Sequence, residues 1–237
     1  MSIISPTRLI HFKEWVELET GRPVVVQPIA SKSAGLHVLF VPNDKNILIN
    51  FDADWNPDSE ELEYALAHEM THGLLHYKNN YPFIYATAGA TQTETAIGSI
   101  IASMIGDAAA QRILQAQGFY PIQNSNIAIF QEHLKALKGS KPFDNFAGDP
   151  QLLIWRIIQR YIVAWLHVKY CTLRPEHQTL LNKFLNTCRL KRPNEYLMGK
   201  EIIALFNQNN VLTREGYINI IRGIILKWNL EDALVIR

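Results

Sequence analysis

Several features of common protein classes are missing from this sequence of 237 residues. It contains only two cysteines, Cys171 and Cys188, and no Cys-x-x-Cys pair, which excludes a disulfide scaffold and a structural site of four cysteines. It has no phosphate-binding glycine loop, no nucleophile elbow and no internal repeat. These absences remove nucleotide-binding loops, one large group of serine hydrolases and repeat proteins from consideration.

A membrane-spanning segment is also missing. The most apolar stretch, residues 152–170, contains Arg156, Arg160, His167 and Lys169, and these charges make it a core helix rather than a span. The N-terminal region lacks the charged-then-apolar order of a secretory signal, because three glutamates interrupt it between residues 14 and 19. We therefore expect a cytoplasmic protein that does not bind membranes.

Charge is divided unevenly along a chain whose formal net charge is +1. Residues 1–150 carry 10 basic and 16 acidic side chains, a net of −6, whereas residues 151–237 carry 13 basic and 6 acidic ones, a net of +7. This asymmetry fits an anionic partner for the C-terminal part, two oppositely charged modules that pack together, or solvated helix faces. The sequence leaves the oligomeric state open.

The most informative stretch is His68-Glu69-Met70-Thr71-His72, a complete His-Glu-x-x-His pattern. Two histidines four residues apart on a helix share one face, so both imidazoles can bind one Zn²⁺ ion. Glu69 then projects beside the metal and can act as the general base that takes a proton from the attacking water. The alternative is a pair of hydrogen-bonded core histidines without a metal.

The surrounding residues predict a buried helix from about Ser59 to about Tyr77. Asp58 and Glu61 have the spacing of a capping box, and apolar residues occupy most sides of the helix that follows. Polar groups inside a buried helix are costly unless something satisfies them, and a zinc ion would satisfy both histidines. This context favours the metal-site interpretation.

The third protein ligand that a catalytic zinc requires is predicted to be Glu94, near the start of a helix from about Gln92 to Gln117. An alternative stays open, because Thr91-Gln92-Thr93-Glu94 is also a capping box in which Glu94 caps its own helix. Asp107 and His76 are the other candidates. His76 requires the zinc helix to break at Gly73, because His68 and His76 lie about 12 Å apart along a straight helix.

The rest of the sequence predicts a small N-terminal sheet followed by a helical half. Strands are expected at residues 23–28, 37–41 and 46–51, the last two joined by the hairpin signal Pro42-Asn43-Asp44-Lys45. A first helix ends near Gly21, and further helices are expected at about 126–138, 150–170, 175–188, 195–208 and 214–228. Residues 139–148 are expected to form a loop. We divide the chain into a catalytic module, residues 1–122, and a helical subdomain, residues 123–237.

With Glu94 downstream, the His68-Glu69-x-x-His72 pattern resembles the zincin metallopeptidases, in the branch whose third ligand is glutamate. The strand Ile47-Leu48-Ile49-Asn50, a polar linker and the run from Ala67 to His76 are similar to the intracellular regulatory peptidases of the IrrE/ImmA type. The resemblance covers residues 1–120. It implies an α+β, zincin-like fold in which the small sheet packs on the active-site helix, with Zn²⁺ as cofactor.

We therefore predict a zinc metallopeptidase that hydrolyses a peptide or protein substrate, with Glu69 as base and His68, His72 and Glu94 as ligands. The group that stabilises the oxyanion is left open among Tyr85, His133, Arg156 and Tyr161, each of which also has a structural interpretation. The main alternative is a non-catalytic regulatory protein whose basic C-terminal part contacts a protein or nucleic acid. We do not expect nucleic acid to be the partner, because no convincing helix-turn-helix pattern is present. An inactive zincin and an aminopeptidase are further alternatives.

Overall fold

A computed structural model of the chain describes residues 7–30, 37–120, 124–139 and 148–237. Within these ranges the protein is α+β and 65% helical, with eight helices and two small sheets, which confirms the predicted class. In chain order the elements are α1 (Thr7–Thr20), β1 (Val24–Ile29), β2 (Val38–Val41), β3 (Ile47–Asp52), α2 (Ser59–Tyr77), β4 (Ile84–Ala86), α3 (Gln92–Ala116), α4 (Asn124–Leu137), α5 (Pro150–Tyr170), α6 (Pro175–Lys191), α7 (Pro193–Gln208), α8 (Arg214–Lys227) and β5 (Leu234–Ile236).

The chain divides into two compact units. The first comprises Met1–Asn80 and Ala110–Gln123, and the second comprises Tyr81–Ala109 and Asn124–Arg237. The division falls inside α3, so this helix contributes residues to both units. The division that we predict, into a catalytic module of residues 1–122 and a helical subdomain of residues 123–237, stays a prediction.

The sheet of the first unit has three strands in the order β1-β3-β2. β3 lies in the centre, parallel to β1 and antiparallel to β2, with Val24 opposite Ile47 and Phe40 opposite Ile49. The antiparallel pair confirms the hairpin predicted from residues 42–45. In β2 and at the start of β3, buried apolar side chains alternate with more exposed ones, whereas β1 has one buried side chain. The buried apolar residues of the sheet are Val24, Val38, Phe40, Ile47 and Ile49.

Helix α2 begins and ends at the predicted residues because its ends have clear signals. The Asp58 side chain caps the start by accepting the Glu61 N–H at 2.8 Å, and the helix continues without a break through Gly73. Helix α2 packs on β2 and β3. At Gly73 the helix lies so close to β3 that an added Cβ would be 2.5 Å from Ile47 Cγ2. Glycine is required here by this close packing rather than by a helix break.

Helix α1 covers α2 through an apolar stripe of Leu9, Phe12 and Val16, each of which is buried. Arg8 at the start of α1 forms an ion pair with Glu63 of α2, with 3.0 Å between Nε and Oε1. The Phe12 and Phe119 rings pack edge to face with their centroids 5.2 Å apart, so the residues that follow α3 contribute to the core of this unit.

The second unit is built around α5, which packs against α6 and α7, while α4 packs on α6 and α7 on α8. A contact that requires glycine occurs here too, because a Cβ on Gly199 would lie 2.5 Å from the Tyr161 ring.

β4 and β5 form a two-stranded antiparallel sheet in which Tyr85 pairs with Val235, and neither strand was predicted. Among the described helices, none combines the length and apolar character needed to cross a bilayer. Most of the loop predicted at residues 139–148 lies outside the described residues.

The contact between Gly73 and Ile47 gives a prediction for stability. Replacing Gly73 by alanine should cost about 1–3 kcal/mol through overpacking, only partly offset by the roughly 1 kcal/mol that alanine gains over glycine in a helix. In an Ile47→Ala background the same substitution should be neutral or stabilising, because the clashing methyl group is gone. Denaturant unfolding of the four proteins measures this coupling. Equal effects of Gly73→Ala in both backgrounds would show that the contact is not limiting.

Candidate active site

Three side chains of α2 converge in the first unit. His68, Glu69 and His72 are half-buried and offer ligand atoms that all lie within 4.8 Å of one another, the one such group of His, Cys, Asp and Glu found among the described residues. The two imidazole Nε2 atoms are 3.0 Å apart. The helix alone brings the two imidazoles together, because residues four apart lie on the same side of it.

This arrangement fits a zinc ion by donor type and by spacing. Two nitrogens that each lie 2.0–2.1 Å from one tetrahedral ion are about 3.3 Å apart, close to the separation of the Nε2 atoms of His68 and His72. The same separation also suits a hydrogen bond between the two rings, as the metal-free alternative requires. Imidazole nitrogens with a neighbouring carboxylate form a donor set that zinc accepts.

The Glu69 carboxylate is held by the sheet. The backbone N–H of Phe40 in β2 donates a hydrogen bond to Glu69 Oε2 at 2.7 Å. This contact fixes one carboxylate oxygen against the strand and leaves Oε1 outside that hydrogen bond.

The edge of β2 that carries this donor faces away from β3. The Asp52 N–H donates to the His37 carbonyl at 2.7 Å, so this pair is hydrogen-bonded across the ladder. Hydrogen-bonded positions alternate in an antiparallel pair, so the backbone groups of Val38 and Phe40 point to the outer edge. Glu69 already accepts the Phe40 N–H, so the groups that this edge turns toward an added strand are the N–H and C=O of Val38 and the C=O of Phe40.

His76 is not part of the cluster of ligand atoms in the first unit. Its ring lies 6.1 Å from the Phe40 ring and 4.6 Å from the Tyr77 ring, so it packs at the C-terminal end of α2. The unbroken helix explains this position, because on a straight helix His76 lies about 12 Å along the axis from His68, too far for both to bind one ion.

Glu94 lies in the second unit, where it has the capping geometry that the sequence offered as an alternative. Its Oε2 accepts hydrogen bonds from the Thr91 N–H and the Thr91 hydroxyl, both at 2.8 Å, and Thr91 Oγ1 accepts the Glu94 N–H at 3.1 Å. These contacts form a complete capping box. The assignment of Glu94 as a metal ligand stays a prediction.

Asp107 takes part in a polar chain within the second unit. Its Oδ2 accepts the Ser103 hydroxyl at 2.9 Å, Ser103 Oγ accepts the Gln159 side-chain amide at 3.4 Å, and Gln159 Oε1 accepts Arg156 Nη1 at 3.0 Å. Burial first, and the charge of Asp107 second, raise the pKa of Tyr217. These contacts give Asp107 and Arg156 structural partners that link α3 to α5.

The other candidates for oxyanion stabilisation also lie in the second unit. His133 is buried in α4, and Tyr85 on β4 is exposed. Tyr161 packs against Tyr196 at 5.6 Å, and burial, with a smaller effect of Tyr196, raises the pKa of Tyr161 to about 12. Its hydroxyl is therefore protonated at neutral pH. The choice among Tyr85, His133, Arg156 and Tyr161 stays open.

Two contributors to the site were not predicted from the sequence. The Phe40 N–H is a backbone group, and no residue pattern marks it in advance. Tyr64, whose ring stacks on His68 at 5.9 Å, stands four residues before His68, so the four-residue spacing that relates the histidines could have identified it.

No known protein family, curated protein sequence or solved structure matches this chain. The function of the chain is therefore inferred from the site itself.

The capping box predicts how acid affects stability. Hydrogen bonds from the Thr91 N–H and then from its hydroxyl lower the pKa of Glu94 below the usual 4.5. A carboxyl group whose pKa is lower in the folded state contributes stability above its unfolded pKa, and this contribution is lost as the pH falls through the folded pKa. Thermal unfolding between pH 2 and 7, with a chelator present, should show a steeper loss below pH 4.5 in the wild type than in Glu94→Ala.

The matched control is Glu94→Gln, which keeps an acceptor for the Thr91 N–H but cannot ionise. At pH 7 it should be closer in stability to the wild type than Glu94→Ala is. Superimposable pH profiles for the wild type and Glu94→Ala would contradict a capping contribution.

Proposed function

We propose that this protein is a zinc-dependent peptidase whose active site lies on α2. The observation that carries the proposal is the convergence of His68 Nε2, His72 Nε2 and the Glu69 carboxylate, with Glu69 hydrogen-bonded to the edge strand. A site with only a structural role for zinc has no need of a base beside the metal. The resemblance of residues 67–76 to zincins of the IrrE/ImmA type supports the same activity.

The proposed roles divide among four residues. His68 and His72 would hold the ion through Nε2, and Glu94 is the proposed third ligand, with Asp107 and His76 as alternatives. When bound, zinc lowers the pKa of a water molecule towards about 7 and polarises a carbonyl group. Because Phe40 holds Oε2, the oxygen of Glu69 that faces the reaction is Oε1.

Glu69 then moves one proton through the reaction. It accepts the proton from water as the water oxygen bonds to the scissile carbonyl carbon, and it delivers that proton to the amide nitrogen as the C–N bond breaks. An extended peptide is the substrate class that the outer edge of β2 suits, because main-chain hydrogen bonds to a strand do not depend on side chains. This supports a peptide or protein substrate without specifying its sequence.

Metal content is the first test. The wild type should hold about one zinc per chain by plasma mass spectrometry, and His72→Ala should lose it. Glu94→Gln should also lose zinc if Glu94 is a ligand, although it retains a capping side chain. The control is His11→Ala, an exposed histidine of α1, which should keep the metal.

Two results would change the proposal. Zinc retained in Glu94→Gln would move the search for the third ligand to Asp107 and His76. A wild type without zinc, even after zinc is added back, would contradict the proposed cofactor and favour the regulatory, non-catalytic alternative.

Hydrolysis is tested by Glu69→Gln, which keeps the size of the side chain and an acceptor for the Phe40 N–H. The variant should bind zinc as the wild type does and lose about 10²–10⁴-fold in cleavage rate, as expected when a general base is removed. The measurement is mass spectrometry of peptide-library digests. Glu60→Gln, on an exposed residue of the same helix, is the control. Undiminished turnover in Glu69→Gln would refute the assignment of the base.

A further inference from the structure

Tyr64 is a buried aromatic residue one helical turn before the first histidine of the site. Only 6% of its surface is exposed. Its ring centroid lies 5.9 Å from that of His68, and the two planes are inclined by only 25°. These values lie within the range of offset-stacked ring pairs.

The stacking continues into the second histidine. The rings of His68 and His72 meet edge to face, with centroids 4.7 Å apart and planes at 79°. Tyr64, His68 and His72 therefore form a continuous row of rings at four-residue spacing on one side of α2. In this row His68 lies between the rings of Tyr64 and His72, and Tyr64 itself is packed in the protein interior.

A row of this kind has a consequence for ligand orientation. The terminal torsion of a histidine ring is broad, so the helix fixes the position of an imidazole but not the direction of its nitrogens. Contacts with neighbouring rings restrict that rotation where they are present. The Tyr64 ring lies along one side of His68, and the edge-to-face contact relates His72 to the plane that His68 adopts.

We infer that Tyr64 is a positioning residue of the metal site, which fixes the plane of His68 and through it that of His72, so that both Nε2 atoms face one ion. This inference rests on the proposed function, because it assigns the two histidines to a metal. Tyr64 does not touch the ion or the substrate, and it acts through the orientation of the ligands. Contacts that orient a metal-binding histidine commonly change metal affinity about 10–100-fold.

The test compares variants that keep the ring with variants that remove it. Tyr64→Phe retains the stacking and should bind Zn²⁺ with a dissociation constant within about threefold of the wild type. Tyr64→Leu and Tyr64→Met remove the ring, keep an apolar side chain and should bind about tenfold more weakly. Two such variants are used so that a folding failure in one still leaves a result. Affinity is measured by competition with a chromophoric chelator.

A second readout separates orientation from general packing. Co²⁺ added in place of zinc reports the ligand geometry through its visible absorption, which should change in Tyr64→Leu and Tyr64→Met and not in Tyr64→Phe. Leu66→Ala is the control, because Leu66 is also fully buried in α2 but lies on the opposite side of the helix. It should lower stability while leaving both zinc affinity and the Co²⁺ spectrum unchanged.

The outcomes distinguish this inference from the proposed function. A wild type that binds zinc, beside ring-deleted variants with the same affinity and the same Co²⁺ spectrum, would overturn the role of Tyr64 and leave the metal site intact. Equal weakening in Leu66→Ala and Tyr64→Leu would overturn it as well, since the effect would then follow stability. A wild type that binds neither metal would refute the proposed function itself, and the positioning role would fall with it.

Discussion

The close approach of α2 to the sheet is the constraint on which the candidate site depends. Gly73 lets the helix lie against Ile47 of β3, with no room for a further carbon atom. Glu69 stands four residues earlier on the same side of the helix, so the same approach brings its carboxylate to the backbone of Phe40. A larger residue at position 73 would push away the helix segment that positions Glu69.

The proposed ligands and the proposed base are held in place by contacts of different range along the chain. His68 and His72 are brought together by the periodicity of one helix, whereas Glu69 is held by a hydrogen bond to a strand 29 residues earlier in the chain. Adjacent helical residues differ in direction by about 100°, so His68 points away from the line along which α2 packs on the sheet. One short segment thus holds two imidazoles through its own periodicity and one carboxylate through its contact with the sheet.

This difference in range explains how much could be predicted from the sequence. The bounds of α2 and the hairpin of β2 and β3 follow from caps, periodicity and turn residues, which are local signals. β4 and β5 were missed because each has only three residues and pairs across about 150 positions of the chain. The contact from Phe40 to Glu69 was missed for a related reason, since a backbone donor has no residue type that marks it. The division of the chain within α3 was hidden because a continuous helical pattern gives no sign of a boundary.

The two roles considered for Glu94 share one chemical requirement, and this is why a single sequence pattern suggests both. A carboxylate that closes a capping box is kept ionised by the donors it accepts, and the Thr91 bonds lower the pKa of Glu94 accordingly. A carboxylate that binds zinc must also be ionised. The hydrogen bonds of a cap are weak beside a bond to a metal, so a cap does not prevent a carboxylate from acting as a ligand where an ion is within reach. For Glu94 the capping box and the proposed ligation therefore differ in the partner of the carboxylate and not in its charge.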